Sequence, residues 1–151
     1  MGDRMAESPI LEKMISDGRL GKKSKKGFYI YSGKKKNPDP EISNYLNKVE
    51  NSKLSDEALV HRMIYPMINE AARCLDDKII NGPQDVDLAM IFGTGFAPFR
   101  GGLLNYADSE SVTKVHDTLE KFSESNGDRF KPSVMLQKIA KSNKGFYQYF
   151  G

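Results

Sequence analysis

The chain has no tryptophan, one cysteine and two histidines in 151 residues. A single cysteine, Cys74, excludes an internal disulfide and fits a reducing compartment, so a cytoplasmic setting is expected. Two histidines and one cysteine far apart in sequence offer no zinc-ligand spacing, and no metal site is expected. No apolar run approaches the roughly 20 residues of a membrane span. Met1-Gly2-Asp3-Arg4 lacks the apolar centre of a signal peptide. With 38% hydrophobic and 28% charged residues, the chain can fill one ordinary core and is not compositionally disordered.

What is present is a string that occurs twice. Lys26-Gly27-Phe28-Tyr29 returns as Lys144-Gly145-Phe146-Tyr147. Each copy follows a short helix-like run, Leu11-Glu12-Lys13-Met14 in one case and Leu136-Gln137-Lys138-Ile139 in the other. One long helical body lies between them. The expectation is a chain that begins partway through a duplicated unit: 1–36 closes a first copy, 37–54 is a linker, and 55–151 is a complete second copy. The aromatic ends, Phe28 to Tyr31 and Phe146 to Phe150, are too apolar to hang free and should pack on their own repeat or its twin.

Charge is uneven. Residues 1–36 carry ten Lys/Arg against four acids, and the rest of the chain is mildly acidic. A basic segment interleaved with aromatics can bind phosphates or nucleic acid. The plainer reading is a solvated loop. An acidic remainder argues against a nucleic-acid-binding face across the whole domain.

The remaining signals are helical. Ile10 to Asp17 reads as a short helix and Phe28 to Tyr31 as an extended piece, followed by a charged loop from Ser32 to Pro40. Ser55 is a good N-cap, with Asp56 and Glu57 against the positive end of the helix dipole. From there Val60, Ile64, Met67, Ala71 and Leu75 recur at spacings of three and four. Leu59, Met63, Ile68 and Cys74 widen the stripe, so a central, buried helix to about Ile79 is expected, with Pro66 kinking it. Gly82 should take a left-handed cap and Pro83 should start the next helix, whose apolar face carries Val86, Leu88, Met90, Ile91 and Phe92. A glycine- and proline-rich turn follows, then helices over Leu103 to Ala107, from Asp108 or Ser109 through Phe122, and from Pro132 through Ile139. The class is all-α.

Few residues invite chemistry. Gly93-Thr94-Gly95 lacks the preceding strand of a dinucleotide loop, and Pro98 stands at its sixth position, so it reads as a tight helix connection. His61 has only Glu57 as a local partner and no nucleophile placed with it. Cys74 is expected on a buried face, where thiols are inert. Asn69 and Glu70 lie mid-helix on an apolar segment and need partners; for Glu70 these are a backbone amide, Arg73 or Arg100.

Asn69-Glu70-Ala71-Ala72-Arg73-Cys74-Leu75, Gly82-Pro83-Gln84-Asp85-Val86-Asp87, Gly93 to Gly102 and Tyr106-Ala107-Asp108 together resemble the C-terminal helical domain of 3-hydroxyacyl-CoA dehydrogenases. The form Gly93-Thr94-Gly95-Phe96-Ala97-Pro98-Phe99-Arg100-Gly101-Gly102 resembles the second copy in the bacterial fatty acid oxidation complex alpha subunits. Gly18 to Tyr29 resembles the end of the first copy. The resemblance implies a parent that hydrates enoyl-CoA and oxidises 3-hydroxyacyl-CoA with NAD, its catalytic His and Glu lying in a Rossmann domain that has no counterpart here. His61 stands where the first copy has a substrate-facing Asn. No catalytic, cofactor-binding or metal residue is therefore assigned in this chain. His61, Asn69, Glu70 and Arg100 are its substrate-side or structural polar candidates. The implied role is packing against the rest of the parent, with self-association and a thiolase subunit as partners. Two alternatives stand beside it: a free-standing module binding a partner or an acyl-CoA, and a nucleic-acid binder using Lys22 to Lys36.

Overall fold

The computed structural model describes residues 8–46 and 54–151, which fall into two compact units, Met1–Lys53 and Leu54–Gly151. Residues 47–53 of the expected linker lie outside the described residues.

In the first unit, helix α1 spans Pro9–Ser16 with Pro9 in its first turn, where the missing N–H costs nothing. A 3-10 turn at Lys22–Ser24 leads to a hairpin in which β1, Tyr29–Ser32, pairs antiparallel with β2, Lys35–Pro38. A further 3-10 turn, Pro40–Asn44, follows. The expected loop and early linker thus hold a strand and a capped turn that belong to this unit. Asp39 organises them. Its carboxylate accepts the Glu41 amide at 3.0 Å and the Arg19 guanidinium at 2.5 Å. Arg19 also donates to the Gly27 carbonyl at 2.7 Å and lies 5.0 Å from the Tyr45 ring centre. Met14 is the one buried apolar side chain among the described residues of this unit, so its centre is largely ionic.

The second unit is all-α. Helix α2, Asp56–Asp76, is capped by the Ser55 hydroxyl, which accepts the Ala58 amide at 3.2 Å. At 1.5 Å per residue it is about 32 Å long, and Pro66 sits inside it. Against it pack α4 (Leu103–Glu110), α5 (Val112–Asn126) and α6 (Val134–Lys141), while α3 (Pro83–Thr94) and α7 (Phe146–Phe150) pack on α4 and on each other. Tyr65, Ile68, Leu103, Leu104, Val115, Leu119, Phe130, Leu136, Ile139 and Phe146 form the core. Each side chain of this size stabilises by about 1.5–3 kcal/mol when removed from water.

The buried stripe of α2 shares Ile68, Ala71 and Leu75 with the expected one and differs elsewhere. Leu59, Val60 and Met63 face solvent, while His61, Tyr65, Ile68, Asn69, Ala72 and Leu75 face the core. On α3, Leu88 is exposed and Phe92 is 84% exposed. Cys74 is half-buried, not buried. Lys78, with φ 55°, takes the left-handed position expected of Gly82, which is extended at φ −160°.

Two aspartates tie helix starts to distant elements. Asp87 on α3 accepts the Leu104 amide at 2.6 Å and the Asn105 amide at 3.0 Å, satisfying the open donors of α4. Asp108 on α4 does the same for α7 through Phe146 and Tyr147, at 2.6 and 3.1 Å. It does not cap α5, whose preceding residue is Ser111. Gly102 makes the first arrangement possible. Its φ is +109°, and a Cβ there would lie 2.3 Å from the Asp87 side chain.

The repeated string therefore folds in two ways. In Lys144 to Tyr147 it opens helix α7, with Phe146 fully buried and the Tyr147 hydroxyl donating to Asp87 at 2.8 Å. In Lys26 to Tyr29 it leads into strand β1, with Phe28 exposed. In both copies the glycine is crowded, Gly145 by Asp108 and Gly27 by the Gly21 backbone.

Candidate functional site

The densest polar cluster in the second unit forms where α2 meets α4 and α5. Residues four apart on a helix share a face, so Glu57, His61 and Tyr65 line up along α2. Glu110 at the end of α4 and Lys114 in the first turn of α5 close on them. His61 Nε2 lies 3.7 Å from both Glu57 Oε1 and Glu110 Oε2, and its ring stacks on Tyr65 at 4.3 Å. Tyr65 donates its hydroxyl to Glu110 at 3.3 Å. Lys114 donates to Glu110 at 2.9 Å and to Glu57 at 3.4 Å.

The hydrogen bond from Lys114 holds the Glu110 carboxyl below the ordinary carboxylate range, against the opposing effect of burial. The same bond raises the Lys114 ammonium. Burial, then the Glu110 charge, pushes the Tyr65 and Tyr106 hydroxyls up. Every charge in the cluster faces an opposite charge, and His61 approaches no nucleophile. The arrangement is an ion network around a buried imidazole. Replacing His61 with alanine should cost about 2 kcal/mol through the lost ring packing. Tyr65→Phe, which loses one hydrogen bond, should cost about 1 kcal/mol. Urea unfolding of the two variants checks that order.

The other expected candidates separate. Asn69 donates to the Lys131 carbonyl at 2.9 Å and accepts the Ser133 amide at 2.7 Å, holding the loop before α6. Glu70 pairs with Arg73 at 3.2 Å, and Arg73 also reaches the Lys131 carbonyl. Arg100 lies over the Phe99 and Tyr106 rings, at 5.8 and 5.5 Å. Only His61 belongs to the polar cluster. Glu110, Lys114 and Tyr65 were missed because their connection is tertiary, with Tyr65 and Glu110 45 positions apart. On α5, ligand-type atoms of His116, Asp117 and Glu120 lie within 4.8 Å of one another, but both carboxylates are exposed.

The Gly93-Thr94-Gly95 turn does not have the setting of a dinucleotide loop. Among the described residues the sheet is a two-stranded antiparallel hairpin. Gly93 and Thr94 end α3 and Gly95 is its left-handed cap, so the carbonyl end of a helix lies there, where a phosphate is repelled.

Residues 59–149, nearly the whole second unit, match the model of the 3-hydroxyacyl-CoA dehydrogenase C-terminal domain. The chain belongs to this family. The fatty acid oxidation complex subunit alpha of Vibrio vulnificus is 42% identical to this dehydrogenase-family chain over 147 residues, covering 97% of it and 21% of the relative. The subunit of the same name from Idiomarina loihiensis is 39% identical over 150 residues, again 21% of its length. The chain thus spans about a fifth of the length of the curated relatives it matches. The crystal structure of the dehydrogenase part of multifunctional enzyme 1 from C. elegans is similar, with a TM-score of 0.65 and 25% identity, covering 89% of this chain and 33% of that one. The all-α class expected of the chain is the class of this family's helical domain. Among the described residues, no helix is long and apolar enough to cross a membrane.

Proposed function

We propose that this chain supplies the helical C-terminal part of a fatty acid β-oxidation multienzyme. In the parent, NAD-dependent oxidation of 3-hydroxyacyl-CoA accompanies enoyl-CoA hydration. The observation that carries this reading is the alignment of 97% of the chain with alpha subunits nearly five times its length. The role is architectural. The polar candidates of α2, His61, Asn69 and Glu70, have internal partners, and the glycine turn is unsuited to NAD. Each unit meanwhile presents apolar side chains to solvent: Leu11, Ile15 and Phe28 in the first, Leu88, Phe92 and Phe99 in the second. Exposed apolar surface of this kind serves association. In this reading it packs on a first helical copy and a Rossmann domain, with self-association, a thiolase subunit and a cytoplasmic setting following from the parent complex.

The purified chain is expected to reduce no NAD with 3-hydroxyacyl-CoA. A chimera of the Vibrio vulnificus alpha subunit, with its aligned fifth replaced by this chain, is expected to retain dehydrogenase activity within about tenfold. Turnover by the chain alone, or a folded chimera without activity, would overturn the reading.

A further inference from the structure

The first unit contains a cavity that the architectural role does not use. It measures about 490 Å³ and is lined by Lys22, Tyr31, Gly33, Lys34 and Lys36. We propose that these residues form a binding site for a nucleoside diphosphate.

The hairpin register brings them together. Tyr31 pairs directly with Lys36 across the two strands, so both side chains stand on one face. Lys34 forms the two-residue turn with Gly33, and Lys22 opens the 3-10 turn before the hairpin. Gly33 has φ 58°, and nothing lies within 4 Å of where its Cβ would be, so the turn backbone is open to a ligand. Lys36 sits 5.1 Å from the Tyr29 ring centre, which positions its ammonium without using its donors.

The charge is uncompensated. Asp39 and Glu41 are occupied by Arg19 and Lys26, and Asp17 accepts from Tyr45. No acid lines the cavity, and among the described residues no carboxylate pairs with Lys22, Lys34 or Lys36. Three lysines line one cavity with no acid among its walls, and an anion bound there would offset their like charge. A phosphate monoester carries about two negative charges, and a diphosphate adds roughly one more, matching three lysines. The phenol ring of Tyr31 supplies the stacking surface a base needs. The volume falls within the roughly 300–1,000 Å³ of small-ligand sites. ADP and the 3′-phospho-ADP end of coenzyme A share this chemistry.

The test is calorimetry of the full chain with ADP, coenzyme A, inorganic pyrophosphate and a single-stranded 20-mer. ADP and coenzyme A should bind at submillimolar Kd, with NMR shifts at the Gly33 and Lys34 amides. K22Q/K34Q/K36Q should weaken ADP binding at least tenfold, and K23Q/K25Q/K35Q, equal in charge change but outside the cavity, less than twofold. Y31L should weaken ADP about tenfold and leave pyrophosphate unchanged. Coenzyme A binding tenfold tighter than ADP assigns the site to a thioester carrier, and equal affinity assigns it to a free nucleotide. Equal loss in both lysine triples, no binding at millimolar ligand, unmoved Gly33 and Lys34 amides, or tighter binding of the 20-mer would overturn the proposal.

Discussion

Replacing Asp87 with alanine should lower the stability of the second unit by about 4 kcal/mol. Three donors converge on this buried carboxylate: the Leu104 and Asn105 amides and the Tyr147 hydroxyl. Alanine leaves all three without their acceptor, and each buried group so stranded costs about 1–3 kcal/mol. A unit of this size shifts roughly 4–8 °C in Tm per kcal/mol, so the drop should exceed 15 °C. Tyr147→Phe removes one of the three bonds and should cost about 1 kcal/mol. Asp87→Asn keeps one acceptor oxygen and should fall between. Burial, with the bond to Asp87 adding to it, pushes the Tyr147 hydroxyl up to about 12, so this donor stays protonated across ordinary pH. Thermal melts of the three variants decide the matter. Asp87→Ala melting no lower than Tyr147→Phe would remove the helix-start role.

This role shows which parts of the fold are legible in the sequence. Local signals hold: Ser55 caps α2, and Pro9 and Pro83 sit in first turns. These depend on neighbours in the chain, which the sequence displays directly. The face of α2 is another matter. Hydropathy selects Val60 and Met63, yet the buried side carries His61 and Asn69. Both are polar residues whose partners, Glu110, Lys131 and Ser133, come from other elements. A buried polar residue is marked by its partner, and the partner is not adjacent. Phe92 and Phe99 fail in the opposite sense, as apolar residues left on the surface.

The duplicated string carries the same lesson. Four identical residues begin a helix where Asp108 accepts their amides, and lead into a strand where Arg19 holds the Gly27 carbonyl. The tetrapeptide itself prefers neither outcome strongly enough to override its setting. Strand β2 was illegible for a related reason. Lys35-Lys36-Asn37-Pro38 has no apolar alternation, and its extended form rests on pairing with β1 and on the Asp39 anchor behind it. The Glu110 and Lys114 members of the α2 cluster needed the packing of three helices before they could be seen. His61 was visible as a candidate, and in the structure it lies among Tyr65 and two carboxylates.

The largest effect in the first unit should come from the Arg19–Asp39 pair. Arg19 is 7% exposed and Asp39 is 2% exposed, in a unit with one buried apolar side chain among its described residues. Asp39→Asn leaves a guanidinium enclosed without its main counter-charge. Arg19→Leu leaves a carboxylate facing only the Glu41 amide and Lys26, the latter 4.0 Å away. Removing one member of a buried pair harms more than removing both, because the survivor keeps its desolvation cost. The double variant Arg19→Met/Asp39→Leu should therefore retain more structure than either single change. Hydrogen exchange reads this at the Gly21, Gly27 and Tyr31 amides, which bond to Lys26, Tyr29 and Lys25 carbonyls in this unit. Both single variants should exchange there at nearly unfolded rates, and the double variant more slowly. Burial alone would raise the Asp39 carboxyl, but the Glu41 amide and the Arg19 guanidinium outweigh it and hold it below the ordinary range. Its contribution is thus complete above the unfolded aspartate pKa of about 3.9 and is lost as pH falls through the lower folded value. Protection of those three amides should accordingly persist at pH 5 and collapse under stronger acid. Unchanged protection in Asp39→Asn at pH 7 would show that the hairpin stands without the pair.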